Sequence, residues 1–79
     1  MAVPVYLSIA ADLRAKINDG KLKPGSRLPS EQALQDEYGE LFGLSRSVSQ
    51  NTVRDAIEVL VREGHVEKRP GQGTFISGR

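Results

Sequence analysis

The C-terminal segment constrains the fold of this 79-residue chain more than any other part of it. Residues 65–69 and 74–76 are short runs of β-branched and charged side chains, and Pro-Gly-Gln-Gly at residues 70–73 joins them. Two such runs around a short glycine-containing loop are typical of a β-hairpin. A helical pattern that ends at Gly64 comes directly before them. The segment is therefore predicted to form a wing beside a helix.

Three upstream stretches have the apolar spacing of amphipathic helices. The first should end at Asp19-Gly20, and the second should begin at Glu31 with Ser30 as its N-cap. The apolar positions of the first are Tyr6, Ile9, Ala10, Leu13 and Ile17, and those of the third, from Thr52 onward, are Val53, Ala56, Ile57, Leu60 and Val61. With a very short strand at residues 26–28, this order predicts an α+β winged helix-turn-helix domain over residues 1–79. It has three helices and a small antiparallel β-sheet that includes the C-terminal β-hairpin wing.

Composition argues against several classes of protein. The chain has no cysteine and one histidine, so neither a thiolate metal site nor a nucleophile–base pair can be argued. We therefore expect no enzyme activity, no metal and no cofactor. Because no apolar run is long enough to cross a bilayer and the N-terminus lacks a signal-peptide pattern, we expect a soluble cytoplasmic protein with no membrane partner.

Charge and polarity distinguish the C-terminal half. Residues 1–43 carry five Lys and Arg against six Asp and Glu, whereas residues 44–79 carry six against four. Such a local excess is typical of a nucleic-acid footprint, and it also fits ordinary surface variation. Gln50, Asn51 and Thr52 begin the third helix, where a recognition helix enters the major groove. These residues either contact base edges or simply cap a helix.

Four motifs, in this order, resemble the GntR family of transcription regulators. Residues 24–31, PGSRLPSE, resemble the family signature PG-x-RLPSE, and residues 51–56, NTVRDA, resemble the start of its recognition helix. Residues 64–66 and 71–75 resemble the end of that helix and its wing. The resemblance covers roughly residues 3–77. The wing sequence RPGQGTF is also similar to HutC-like members and to regulators carried on actinobacterial mobile elements.

The resemblance implies a dimeric repressor that occludes a pseudo-palindromic operator in double-stranded DNA. In the family, this domain normally precedes a larger effector-binding domain. The chain stops two residues after Ser77, so we expect the effector-binding domain to be absent. We favour an excised domain over a natural single-domain protein. The homodimer is expected to assemble on DNA or through the missing C-terminal domain.

The resemblance and the side-chain chemistry together predict the DNA contacts. The start of the second helix suits a phosphate, Arg54 matches a family arginine that contacts phosphate, and Gln72 at the wing tip can reach the minor groove. The wing glycines also fit a bare hairpin turn. The predicted DNA-binding residues are Arg27, Ser30, Gln32, Arg46, Ser49, Gln50, Asn51, Thr52, Arg54, Lys68, Arg69, Gln72, Gly73 and Thr74.

Two of these residues depart from the family pattern. Gln32 and Gln50 stand where the family commonly has arginine. Arginine pairs with guanine, whereas glutamine pairs with adenine. The departures predict A·T pairs in the operator where relatives read guanine. A winged-helix protein-interaction module without operator specificity is the alternative, although it should carry apolar anchors where this sequence is polar.

The segment between the second and third helices is longer than the family usually needs by roughly eight residues. In one register, Glu40–Ser47 is an inserted loop and residues 48–51 form the usual turn and helix start. In the other, Phe42–Arg46 is the turn, and the second and third helices each gain about one turn. We favour an extended second helix with a turn near Gly43, and DNA contacts from Ser49 onward.

Two further expectations concern the packing around this segment. Gly39 inside the extended helix weakens that interpretation, because glycine costs about 1 kcal/mol in a helix interior. Leu41, Phe42 and Leu44 are expected to be buried, which makes a wholly unstructured loop a poor fit. Gln35 stands where the family has a small residue between the second and third helices, so their crossing is expected to differ.

Overall fold

Three helices and a two-stranded antiparallel sheet make up residues 3–77, the part of the chain that the computed structural model describes. The elements are α1 (Val5–Asn18), α2 (Glu31–Leu41), α3 (Gln50–Arg62), β1 (Val66–Arg69) and β2 (Gly73–Ile76). This order confirms the predicted α+β winged helix-turn-helix architecture.

Local chemistry sets the helix ends where the sequence places them. Ser30 Oγ accepts from the Ala33 amide at 3.1 Å and begins α2, while Ser49 Oγ accepts from the Thr52 amide at 3.2 Å and begins α3. Both are side-chain N-caps, each of which stabilises its helix by about 1 kcal/mol. Asp19 and Glu63 are the C-caps of α1 and α3. The predicted stops before Gly20 and at Gly64 are confirmed.

The core lies between one face of each helix and the inner face of the sheet. Its buried members are Ile9, Ala10, Leu13, Leu28, Leu34, Tyr38, Val48, Val53, Ala56, Ile57, Leu60, Val66 and Ile76. Each large apolar side chain buried there stabilises the fold by about 1.5–3 kcal/mol. Within residues 3–77 no polar or charged residue is buried. The predicted stripes of α1 and α3 supply most of this core.

The sheet ties the wing to the segment before α2. In the hairpin, Val66 pairs with Ile76 and Arg69 pairs with Gly73. The predicted strand at residues 26–28 is a single antiparallel bridge in which Arg27 faces Phe75. Around it the Leu28 amide donates to the Thr74 carbonyl at 2.7 Å. Arg27 is thus held next to β2 although 48 positions separate Arg27 from Phe75.

The segment between α2 and α3 follows neither predicted register completely. Helix α2 continues through Gly39 to Leu41 and turns at Phe42-Gly43, as favoured, with the Leu44 amide donating to the Gly39 carbonyl at 2.8 Å. The first register is therefore wrong for residues 40 and 41. The extra turn that the second register gives α3 is also wrong, because Ser49 caps the helix and α3 begins at Gln50.

Gly39 is the point at which this inserted segment, residues 40–47, returns to α2. A Cβ atom on Gly39 would lie 2.5 Å from the Arg46 carbonyl oxygen and 2.7 Å from the Ser47 Cα. The weak helix preference of glycine is therefore offset by the close backbone approach that only glycine allows. The expected burial of Leu41, Phe42 and Leu44 is wrong, since they are 58%, 37% and 46% exposed.

Val48 fills the core instead, and Gln35 holds it there. The Val48 amide donates to the Gln35 carbonyl at 3.1 Å, and Gln35 Nε2 donates to the Val48 carbonyl at 3.1 Å. Both backbone groups of a 6% exposed residue are thereby satisfied. Gln35 is larger than the residue that the family resemblance predicts at this position. Its side chain provides the hydrogen bond that the Val48 carbonyl needs at the end of the longer segment.

A polar cluster joins α1 to α2 beside Tyr38. The Tyr38 hydroxyl donates to Asp12 Oδ2 at 2.6 Å, and Lys16 lies 3.2 Å from Asp12 and 3.1 Å from Glu37. Partial burial acts to raise the pKa of Asp12, but the Tyr38 hydrogen bond and the Lys16 ammonium outweigh it and lower that pKa. Burial and the same carboxylate raise the pKa of Tyr38, which stays a neutral donor.

Candidate nucleic-acid interface

The first turn of α3 presents polar side chains to solvent. Gln50 and Asn51 are exposed, and Val53, almost opposite Asn51 on the helix, is buried. Ser49 and Thr52 share a 2.7 Å hydroxyl–hydroxyl hydrogen bond in addition to the capping bond. The capping interpretation of residues 49–52 therefore holds for Ser49, while Gln50 and Asn51 make no capping bond and their DNA contacts stay a prediction.

Glu31 connects the start of α2 with the first two turns of α3. Gln50 Nε2 donates to Glu31 Oε1 at 2.9 Å, and Arg54 Nε lies 3.8 Å from Glu31 Oε2. Glu31 is not among the DNA-binding residues predicted from the sequence, in which it marks only the start of α2. The contact depends on how α2 crosses α3, which no local pattern indicates.

Arg27 and the wing are in contact. A Cβ atom on Gly73 would lie 2.7 Å from Arg27 Nε, so the guanidinium lies against the glycine backbone. Gly73 also has φ of +125°, a conformation that L side chains rarely adopt. Arg27, Ser30, Gly73 and Thr74 line one cleft together with Glu31. Residues 29–31, here called the PSE motif, and the wing thus form a continuous surface.

The basic residues of β1 are paired with carboxylates of the protein. Lys68 Nζ forms an ion pair with Glu58 of α3, whereas Arg69 Nε donates to Glu67 at 3.2 Å and its guanidinium lies 4.3 Å from the Phe75 ring centroid. The Lys68 ammonium lowers the pKa of Glu58. The Glu67–Arg69 pairing could have been predicted, because alternate residues of a strand share a face.

The remaining predicted residues lie at the ends of this surface. Arg46, from the inserted segment, lines a second cleft with Ser49 and Thr52. Gln32 lies in the first turn of α2 and Gln72 at the wing tip, and both are exposed. Among residues 3–77, the side chains of Gln32, Asn51 and Gln72 have no hydrogen-bond partner, so their amide groups face solvent.

Three helices with a polar, exposed helix start and an adjoining hairpin define a winged helix-turn-helix DNA-binding domain. The family described as "Bacterial regulatory proteins, gntR family" matches residues 5–76. The chain therefore belongs to the GntR family of bacterial regulatory proteins. The relatives described next are named as transcriptional repressors.

Named relatives support this assignment. Over 75 residues the chain is 43% identical to the HTH-type transcriptional repressor NagR of Bacillus subtilis (strain 168), covering 95% of this chain and 28% of NagR. It is 42% identical over 73 residues to the mannosyl-D-glycerate transport/metabolism system repressor MngR of Escherichia coli (strain K12), covering 92% of this chain and 27% of MngR. The chain thus spans little more than a quarter of these relatives.

A solved structure shares the fold over nearly the whole chain. The crystal structure of AraR(DBD) in complex with operator ORE1 gives a TM-score of 0.83 at 31% identity, covering 98% of this chain and 84% of that chain. None of the helices within residues 3–77 is long and apolar enough to cross a membrane. In the same part of the chain, no His, Cys, Asp and Glu residues group as metal ligands would.

Proposed function

We propose that residues 1–79 bind a specific double-stranded DNA operator as the DNA-binding unit of a cytoplasmic transcriptional repressor. The observation that carries the proposal is the continuity of the surface formed by the α3 start, the PSE motif and the wing. The Gln50–Glu31 hydrogen bond and the Arg27–Gly73 contact join these three parts. A single duplex can therefore meet all of them at once.

Base contacts are assigned to the four exposed amide side chains of this surface, three of which have no hydrogen-bond partner within residues 3–77 while Gln50 donates one N–H to Glu31. Asn51 and Gln50 enter the major groove and pair with adenine, each good pair discriminating against a wrong base by about 1–3 kcal/mol. Gln32 borders the same groove at the start of α2. Gln72, flanked by Gly73 and Thr74, enters the minor groove, where glycine permits close backbone approach.

Phosphate contacts are assigned to the cations and the helix starts. Arg27, Arg46 and Arg54 reach the DNA backbone, and Lys68 and Arg69 do so after exchanging their carboxylate partners for phosphates. Ser30, Ser49 and Thr52 add hydroxyl and amide donors at helix N-termini, where the helix dipole favours an anion. These contacts set affinity and register, while the amide side chains set sequence preference.

Two copies on a pseudo-palindrome place α3 in successive major grooves, about 34 Å apart. Repression then follows from occlusion of the promoter. NagR and MngR, the relatives described above, are repressors by name, which supports this sign of regulation. The similarity of the wing to HutC-like members or mobile-element regulators stays a prediction.

Selection of binding sites from a random duplex pool tests the proposal. We expect one enriched pseudo-palindromic site, and affinity for it that falls steeply with salt because each phosphate contact releases counterions. Arg54→Ala should weaken binding to all sequences and lower the salt slope by about 1. No enrichment at low salt would contradict the proposal.

The source of A·T preference has its own test. Gln50→Arg restores the family arginine at the start of α3, and should shift the preference at one position from adenine to guanine. An unchanged preference would show that Gln50 reads no base.

One observation favours the alternative of a protein-interaction module. Leu41 and Leu44 in the inserted segment are 58% and 46% exposed. A protein partner there would be insensitive to salt and to Arg54→Ala. Failure of the site selection together with salt-insensitive binding to a protein would support this alternative.

A further inference from the structure

The carboxylate of Glu31 lies next to two of the predicted DNA-binding residues. Its Oε1 accepts from Gln50 Nε2 at 2.9 Å, and its Oε2 lies 3.8 Å from Arg54 Nε. Gln50 and Arg54 are four positions apart on α3 and therefore share one face of the helix. Glu31 itself is only partly exposed, because it is the first residue of α2 and its side chain contacts α3.

A carboxylate fixes which way the Gln50 carboxamide faces. The amide of a free glutamine can turn over and exchange its donor and acceptor sides, whereas an ionised carboxylate only accepts hydrogen bonds. The Gln50 nitrogen must therefore face Glu31, and its oxygen must face away. One N–H is engaged with Glu31, so one N–H and the carbonyl oxygen remain for a base.

That remaining pair of groups matches adenine and not guanine. Adenine offers the N7 acceptor beside the N6 donor, which require one donor and one acceptor from the protein. Guanine offers two acceptors, N7 and O6, and a glutamine meets both only by turning its two N–H groups toward the base. Glu31 already uses one of them.

Arg54 could otherwise supply the guanine contacts, since a guanidinium is the preferred partner of N7 and O6. Its Nε instead lies 3.8 Å from Glu31 Oε2, so the guanidinium is paired with a carboxylate of the protein. The same carboxylate therefore orders the adenine-selective side chain and restrains the guanine-selective one.

We propose that Glu31 is a positioning residue that sets the preference of Gln50 for adenine over guanine. The inference rests on the proposed function, because it requires α3 to enter the major groove. It adds a specificity determinant on α2 that does not itself touch a base.

The experiment compares Glu31→Asp, Glu31→Ala and Glu58→Ala in the full chain. Asp keeps the charge at the start of α2 but is shorter by one carbon–carbon bond, about 1.5 Å, so it loses its reach to Gln50. Glu58→Ala is the matched control for Glu31→Ala, because it removes a carboxylate that pairs with Lys68 and not with Gln50. Circular dichroism and thermal unfolding establish that each variant folds.

Discrimination is measured as the ratio of Kd values for duplexes with G·C and A·T at one position of the selected site. That position is the one whose preference disappears in Gln50→Ala. We expect Glu31→Asp and Glu31→Ala to lower the ratio about 5-fold, which lies within the range of a single base contact. Glu58→Ala should leave the ratio unchanged. Both alanine variants, but not Glu31→Asp, should bind non-specific duplex more tightly, because a negative charge is removed.

The double variant Glu31→Asp, Gln50→Ala should discriminate no less than Gln50→Ala alone, since the two residues act through one contact. Full discrimination in folded Glu31→Asp would overturn the inference, as would a further loss in the double variant. A Gln50→Ala variant that changes no position would overturn it as well. Failure of the proposed function is distinguishable, because the wild-type chain would then select no site at all.

Discussion

The wing and the inserted segment are both loops that leave the domain and return to their starting point, but different contacts hold them. The wing returns through a ladder of adjacent residues, with Val66 opposite Ile76 and Arg69 opposite Gly73. The inserted segment has no ladder, and it returns to α2 through the close approach at Gly39 and the hydrogen bonds between Gln35 and Val48. Regular strand pairing therefore holds the wing, whereas contacts with side-chain and backbone groups of α2 hold the inserted segment.

The largest expected effect follows from filling the space at Gly39. In Gly39→Val, the Cβ would meet the Arg46 carbonyl oxygen and the Ser47 Cα, both backbone atoms that must shift. We expect the free energy of unfolding to fall by about 3 kcal/mol. Denaturant unfolding measures it, with Glu40→Ala, exposed on the same helical turn, as a control expected within about 0.5 kcal/mol of wild type. Wild-type stability in Gly39→Val would mean that the return point lies elsewhere.

The corresponding change in the wing is Gly73→Ala. The added Cβ meets only the flexible Arg27 side chain, but the residue must keep φ of +125°. We expect a loss of about 2 kcal/mol from backbone strain, and weaker DNA binding because Arg27 is displaced.

Gly71→Ala is the matched control for the wing. Gly71 also has positive φ, at +75°, yet no atom lies within 4 Å of its Cβ position. It should destabilise the hairpin by about 1 kcal/mol without moving Arg27. Equal losses of DNA affinity in the two variants would refute the role of the Arg27 contact.

Acid should lower the stability contributed by the polar cluster that joins α1 to α2 more than the stability contributed by Glu58 beside the wing. The pKa of Asp12 is lowered in the folded state from its ordinary value of 3.8. Its ionised form therefore stabilises the fold fully above that ordinary value, and this stabilisation is lost as pH falls through the folded pKa. Asp12→Asn should cost about 1 kcal/mol near neutral pH, a modest value since solvent screens this partly exposed group.

The comparison is measured as the free energy of unfolding at a series of pH values below neutral. Asp12→Asn should flatten the loss of stability that wild type shows as pH falls below about 4. Glu58→Gln should change it much less, although the pKa of Glu58 is also lowered, because solvent screens that exposed carboxylate. A larger effect of Glu58→Gln than of Asp12→Asn would contradict the assignment of the acid-sensitive stability to Asp12.

The smallest effect on stability is expected from deleting residues 40–47. Gly39 and Ser47 are in backbone contact, so Val48 can follow Gly39 with little movement of α3. The loss of the α2 end and the gain from a shorter loop should offset each other to within about 0.5 kcal/mol. DNA affinity should match that of Arg46→Ala in the full chain. An unfolded or non-binding deletion variant would show that the inserted segment holds α3 in place.

Local signals explain why much of the fold could be predicted. Ser30, Ser49 and Gly64 mark helix ends by side-chain capping or by positive φ, which are properties of a few consecutive residues. The apolar stripe of α3 likewise identifies its buried face. The exposure of Leu41, Phe42 and Leu44 was mispredicted, because hydrophobicity alone does not show whether another element lies near enough to cover a side chain.

The candidate site, like the fold, could be predicted from the sequence only in part. The sequence by itself determined the winged helix-turn-helix fold, the polar start of α3 and the glycine-containing wing, since periodicity, capping and turn chemistry act over short distances along the chain. Only the tertiary structure decided that Arg27 lies on Gly73, that Glu31 holds Gln50 and Arg54, and that Gly39 receives the inserted segment. The first two depend on the pairing of β2 with the segment before α2 and on the crossing of α2 with α3, which join residues far apart in sequence, and the third depends on how the chain folds back after α2.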